Sequence, residues 1–214
     1  MVCASPKIII EHCEPVLSRW LWIEYKHASE IAGKSNLLFS NIKDEKERRI
    51  LSELGCVEGR SIVEMYDLHS KIIVLDPKAQ HSLTPHEAAN FILVVGGILG
   101  SSPPKRRTWK LITSKIPNVI ARNLGRVQLP IDVSVYISLK IASGMLLSDI
   151  KIKRGINIRM SRNHIVRLPF GYPVINGKVF ISPELIEYLK HGIVKDEEYM
   201  FRTGKIRSIL DEVD

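Results

Sequence analysis

A chain of 214 residues with 45% apolar and 25% charged side chains is long enough to bury a core without disulfides or metals, and this composition excludes disorder and collagen-like order. No apolar stretch reaches the roughly 18 residues that span a bilayer. The apolar run KIIIEH is flanked by charge, unlike a secretory leader, so a cytoplasmic protein of one domain, 1–214 with a tail from 191, is expected. The formal charge of +8 is uneven, since residues 1–87 carry 11 Lys/Arg against 13 Asp/Glu and residues 88–214 carry 20 against 10.

In chain order, KIIIEH reads as a strand, and Val16 to Ala32 as a helix with Leu17, Trp20, Leu21, Ala28 and Ile31 on one face, ending at Gly33. NLLFS is a second strand, and residues 44–54 form a polar-faced helix stopped by Gly55. The mixed signs of KDEKERR suit a solvated helix face with internal pairs. KIIVLD is a buried strand, and TPHE opens a helix with Thr84 as N-cap, Pro85 at the first helical position and Glu87 closing a capping box. FILVVGG is another buried strand, PPKRRTWKLITSK a loop entering a helix, NVIARNLG a strand with its turn, and IDVSVYISLKIASG a helix. Alternating strands and helices predict a mostly parallel, doubly wound α/β sheet. IKIKRGINIRM, HIVRLPFGYPVING and GKVFIS then predict a small hairpin-rich appendage, closed by a helix with Ser182 as cap and Pro183 at its start.

Three cysteines, Cys3, Cys13 and Cys56, make neither an even disulfide framework nor a C-x-x-C pair, which fits a reducing compartment and gives no metal signature. Cys13 beside His12 is a poor dyad because neighbours in sequence rarely face one another. Two intervals lack acids, from Glu87 to Asp132 and from Asp149 to Glu184, and each holds seven bases. Such a surface suits RNA or a ribosomal particle, with a merely well-solvated basic surface as the alternative. Trp109, beside the first basic cluster, is a candidate to stack on a base or to cover neighbouring structure.

Ligands of an open parallel sheet settle beyond the carboxyl ends of its strands, which singles out the turns DPKAQ, GGILGSSPP and LGRVQLPID. Gly96, Gly97, Gly100 and Gly125 allow main chain to approach a flat ligand, although glycine turns are also common structural devices. The pattern is neither G-x-G-x-x-G before a helix nor a P-loop, and Pro103 and Pro104 remove two N–H donors, which argues against a nucleoside triphosphate.

The ordered set of LDPKA, a capped helix, GGILG with two nearby prolines, NLG, a Q-x-P-x-D entry into a helix and LPFGY resembles the SPOUT class of methyltransferases. More narrowly, it resembles the branch containing the fungal methyltransferase that modifies an arginine of a small-subunit ribosomal protein, together with its archaeal relatives. The resemblance implies a trefoil knot in the carboxyl half and S-adenosylmethionine bent within it. The matching positions are Leu75 and Asp76, then Gly96, Gly97, Ile98, Leu99 and Gly100, then Leu124, Gly125, Arg126, Gln128, Leu129 and Ile131. Lys105, Arg106 and Arg107 would face the acceptor. This chain departs from the fungal pattern in having Leu129, Pro130 and Ile131 where threonines precede the aspartate, so main-chain contacts carry over and hydroxyl contacts do not.

A sulfonium methyl is already activated, so catalysis mainly requires near-attack geometry. An arginine acceptor must also lose a proton, and carboxylates that orient it and accept that proton are the natural aid. Glu11, Glu14 and Asp132 are the candidates, with a solvated loop end as the alternative role for the first two and a helix N-cap for Asp132. His12 is expected to be structural. An arginine of a ribosomal protein is the leading acceptor, RNA the second, and a non-catalytic RNA-binding module the third reading. Either a monomer or a homodimer is expected, depending on whether Tyr199, Phe201, Ile206 and Leu210 hold the tail against the body or leave it loose.

Overall fold

The computed structural model describes residues 7–160 and 164–212. Six strands alternate with helices through the first two thirds of the chain: β1 (Ile8–His12), α1 (Arg19–Ala32), β2 (Leu37–Ser40), α2 (Glu45–Leu51), β3 (Cys56–Val57), β4 (Ile72–Leu75), α3 (Pro85–Asn90), β5 (Ile92–Gly97), α4 (Arg107–Leu111), β6 (Ile120–Arg122) and α5 (Ile131–Ala142). The sheet order is β3-β2-β1-β5-β4-β6 with every pairing parallel, as the alternation predicts. The two-residue β3 carries too little apolar sequence to be expected.

The strands read as unbroken apolar runs because both faces of the sheet are covered. Ile8 and Ile10 of β1, Leu37 and Phe39 of β2, Ile73 and Leu75 of β4, and Leu93 and Val95 of β5 join one core with α1 and α5. The intervening Ile9, Leu38, Ile72, Val74 and Val94 join a second core with Ile62, Met65, Ile112 and Ile116. A period of two, split between two apolar layers, therefore hides its own alternation.

Helix α1 starts three residues later than the apolar spacing implies, because Ser18 takes the cap and accepts from the N–H of Leu21 at 3.3 Å. Its buried stripe includes Glu24 as well as Leu21, Tyr25 and Ala28. The Thr84 and Glu87 capping box of α3 is present as expected. In α2, Arg48 does pair with Glu45, but Glu47 is buried and accepts from the N–H of Leu17 at 2.7 Å. That helix is thus not wholly a solvated face.

Beyond α5, strands β7 (Ile152–Arg159), β8 (Ile165–Ile175) and β9 (Lys178–Val179) form a separate antiparallel sheet with β8 central. Helices α6 (Pro183–His191) and α7 (Ile193–Thr203) follow, α6 capped by Ser182. The segment after α7 is tethered, since Ile209 is buried and donates its N–H to the carbonyl of Leu17 at 2.9 Å, whereas Phe201 is exposed. Cys13 is a free thiol and Cys56 is disulfide-bonded, so the expectation of unpaired cysteines fails at Cys56; Cys3 lies outside the described residues. Among the described residues, no helix is long and apolar enough to cross a membrane.

Candidate active site

Strands β5, β4 and β6 end side by side, and the turns that leave them meet around a cleft of about 180 Å³. Leu75 and Asp76 enter it from β4, Gly96, Ile98 and Leu99 from β5, and Leu124, Gly125, Arg126, Gln128, Leu129 and Ile131 from the turn after β6. Lys105, Arg106 and Arg107 form its rim. Val95, Val127, Ser101 and Ser134 also line it and were not singled out from sequence. Val127 and Ser101 were legible as members of turns already chosen, whereas nothing local marks Val95 or Ser134.

Gly97 and Gly100 lie off the wall. A Cβ at Gly97 would strike the Tyr25 hydroxyl and approach the carbonyl of Glu11 at 2.9 Å, and a Cβ at Gly100 would strike Phe170 and Gln128. Both glycines permit close packing between layers and do not open space for a ligand. Gly125 differs, for its φ is +98° and nothing lies within 4 Å of a Cβ built there. The Asp76 carboxylate is spent internally, accepting from Thr113 Oγ1 at 2.7 Å and from the Lys78 N–H at 2.8 Å. The Gln128 amide, oriented by its neighbours, donates to the Ser101 carbonyl and accepts from the Ser101 N–H, each at 3.0 Å. That pair of bonds ties the second turn to the third.

Asp132 turns away from the cleft. Its Oδ2 lies 2.6 Å from His27 Nδ1 and its Oδ1 accepts from the Val133 N–H, while Pro130 occupies the N-cap position assigned to Asp132. Beside it, Glu24 accepts from Trp20 Nε1 at 2.7 Å and from the Ile131 N–H at 2.9 Å. Burial and the neighbouring Asp132 push the Glu24 carboxyl up to about 8. Glu24 was missed; its signal is a charged residue on an otherwise apolar helix stripe.

A second hollow, about 700 Å³, adjoins the first at the carboxyl ends of β1 and β2. Glu11, Glu14, Asp44, Glu47, Glu64 and Asp211 line it, against Lys43 and Lys115. Glu11 is buried and held by Ser40 Oγ and Ser61 Oγ at 2.5 Å each and by the Ile62 N–H at 3.0 Å, with burial raising its pKa despite these donors. It is not a solvated loop end, and it faces this hollow instead of the cleft. His12 is buried with Nδ1 3.1 Å from Tyr25 Oη, its pKa lowered by burial, as a structural histidine should be. Burial pushes the Cys13 thiol up to about 12, which removes it as a nucleophile.

Glu14 stands between the two hollows. Its Oε1 accepts from Arg107 Nη1 at 2.6 Å and from the Leu99 N–H at 2.8 Å, and its Oε2 accepts from Arg107 Nη2 at 3.1 Å. Arg107 is therefore half of a bidentate ion pair, unlike Lys105 and Arg106, which are exposed. Among the described residues, no group of three or more His, Cys, Asp or Glu is placed to hold a metal ion.

The family model of SFM1-like protein arginine N-methyltransferases matches residues 7–196. The chain belongs to this family. A curated relative, protein arginine N-methyltransferase SFM1 of Saccharomyces cerevisiae, is 30% identical over 201 residues, covering 86% of this chain and 94% of the relative. The crystal structure of the yeast arginine methyltransferase SFM1 complexed with SAM superposes with a TM-score of 0.78 at 28% identity, covering 87% of this chain and 90% of that one. Its complex with SAH gives 0.77 at 28% identity, with 86% and 94% covered. A dual-specific Trm10 from Thermococcus kodakaraensis, at 16% identity and a TM-score of 0.52 over 67% of this chain, shares the fold alone. The chain is accordingly an S-adenosylmethionine-dependent methyltransferase, and the reading as a non-catalytic module falls.

Proposed function

We propose that the cleft between the turns after β4, β5 and β6 holds S-adenosylmethionine, and that the acidic hollow beside it receives an arginine of a protein in the translation apparatus. Apolar walls at Leu75, Leu124, Val127 and Leu129, with open space over Gly125, suit a flat nucleoside held without ionic contacts. The bound donor supplies an activated methyl group. The turn after β6 runs parallel beside the β4 turn, the Asn123 N–H donating to the His81 carbonyl at 2.9 Å, and the trefoil knot that the resemblance implies is proposed to lie among these turns.

The observation that carries the acceptor reading is Glu14, which already grips a guanidinium with both oxygens at the boundary of donor cleft and acidic hollow. A carboxylate there can orient an incoming arginine and take up the proton it releases as the nitrogen–carbon bond forms. Asp132, committed to His27, and Glu11, whose partners Ser40, Ser61 and Ile62 lie away from the donor cleft, are assigned supporting roles only. The bases that favoured an RNA acceptor are partly neutralised, Arg107 by Glu14 and Arg122 by Glu87. The fastening of Ile209 to Leu17 supports a monomer covered by its own tail, for which we propose a cytoplasmic place of action.

Transfer of radiolabelled methyl groups into a ribosome-containing extract tests this reading. Label should survive nuclease, disappear with protease and be recovered as methylarginine after hydrolysis. Label lost to nuclease would shift the acceptor to RNA.

A further inference from the structure

Neither the cleft nor the acidic hollow uses the β7–β8 hairpin. Lys151, Lys153, Arg154, Arg159 and Arg167 are all exposed there, and none is ion-paired among the described residues. No acid falls between Asp149 and Glu184, so the hairpin provides no countercharge of its own. A surface needing only solubility would interleave both signs. Guarding an edge strand with cations is a second ordinary reason for such residues. It accounts for β7, but Arg167 sits on β8, the central strand.

Local geometry also concentrates the charge. The ladder slips between Arg154 and Ile156, where Gly155 has a φ of +69°, and the Arg167 guanidinium lies 3.7 Å from a Cβ placed on that glycine. Arg167 thus lies over Gly155, and Arg159, two residues on from its partner Asn157, sits diagonally across the ladder from it on the same face. Like charges held on neighbouring strands are unfavourable without an anion between them. Asn157 pairs directly with Arg167 and is exposed, adding a neutral amide able to reach a 2′-hydroxyl. At its root the hairpin is fastened to the donor turns, the Gly171 N–H donating to the Gln128 carbonyl at 2.9 Å and Phe170 packing on Gly100.

We propose that the exposed face of the β7–β8 hairpin docks on the sugar–phosphate backbone of RNA, with Arg154, Arg159 and Arg167 as its phosphate contacts. The RNA is bound there and not methylated. This goes beyond the arginine reading and does not rest on it, since the surface lies outside both hollows. It implies an acceptor presented within a ribonucleoprotein: acids receive the arginine while the hairpin holds neighbouring RNA.

The test measures fluorescence anisotropy of a labelled RNA duplex of about 20 base pairs, and of the matching DNA duplex, at several salt concentrations. Wild type should bind RNA with an affinity that falls steeply with salt, and at least threefold more tightly than DNA. The triple variant Arg154→Glu, Arg159→Glu, Arg167→Glu should weaken RNA binding by about tenfold or more and flatten the salt slope by about one for each phosphate no longer neutralised. Its affinity for S-adenosylmethionine should be unchanged. The lysine triple at the same positions should retain RNA binding, and if the glutamate triple fails to fold, a glutamine triple takes its place. Unaltered RNA affinity in the charge-removed variants, equal binding of RNA and DNA, or equal capture by polyglutamate would overturn the proposal. Loss of label after protease in the transfer assay bears on the acceptor alone, so the two ideas fail separately.

Discussion

Valine at Gly97 and valine at Gly125 act on different properties, although both glycines belong to turns beside the cleft. Gly97 is pressed between Tyr25 and the Glu11 carbonyl, so Gly97→Val should destabilise the whole protein, as overpacking does, by about 1–3 kcal/mol or more in urea unfolding. Gly125 faces open space, and Gly125→Val should leave most of the fold while reducing S-adenosylmethionine affinity at least tenfold by calorimetry, through its strained positive φ and the bulk added to the cleft. Unchanged donor affinity in Gly125→Val would mean that the donor lies elsewhere. Glu14→Gln keeps an oxygen for the Leu99 N–H but loses the charge that holds a guanidinium. Methyl transfer should fall by about 10²-fold or more with donor affinity little changed. Sequence made the glycines legible as a group, yet it could not separate those that touch a ligand from those that let two layers approach. That distinction depends on what lies across from each Cα, which is a property of the fold and not of the residue.

At the level of elements, the helix and strand boundaries that could be read were those with local chemistry. Thr84, Pro85 and Glu87 specify the start of α3 within four residues, and Ser182 with Pro183 does the same for α6. The bulk of the parallel sheet was legible for the same reason, since β-branched runs bounded by turns have few other uses. What stayed hidden was long-range: Glu47 read as part of a solvated helix face and Glu11 as a catalytic candidate or else a solvated loop end, and each is buried by partners 29 or more residues away. Glu87 shows both kinds of information, for it closes the local capping box and also receives Arg122 Nε from β6 at 2.8 Å. Thr84→Ala should cost about 1 kcal/mol, the ordinary value of a cap. Glu87→Ala should cost more, because it removes the carboxylate half of that box and leaves the Arg122 guanidinium without its carboxylate. Denaturant midpoints of the two variants, compared at equal slopes, decide whether α3 is tied to the sheet edge or merely capped.

The whole molecule carries a net charge of +8, yet its acids are not spread to balance it; several are withdrawn into the interior. Burial raises the pKa of Glu11, Glu24 and Glu47, while burial lowers that of His12. Glu24 is the most consequential, because it joins α1 to the third turn of the cleft through the Ile131 N–H and lies beside Asp132 and the orphaned hydroxyl of Tyr172. With a folded pKa of about 8 against 4.5 when unfolded, the native state holds one more proton than the unfolded chain across that window. The stabilisation this proton confers is complete below pH 4.5 and is lost as the pH rises through about 8. One extra bound proton corresponds to a slope of at most about 1.4 kcal/mol per pH unit. Glu24→Gln cannot titrate, so its stability should decline less than that of wild type between pH 5 and 8, measured as urea unfolding at fixed temperature. His12 opposes this slope only below its ordinary range, and Glu11 and Glu47 act equally in both proteins, so the difference between the two curves isolates Glu24. Parallel curves would mean that Glu24 is ionised in the native state, its charge carried by the Trp20 and Ile131 donors, and that the donor turn is held by an anion and not by a neutral acid.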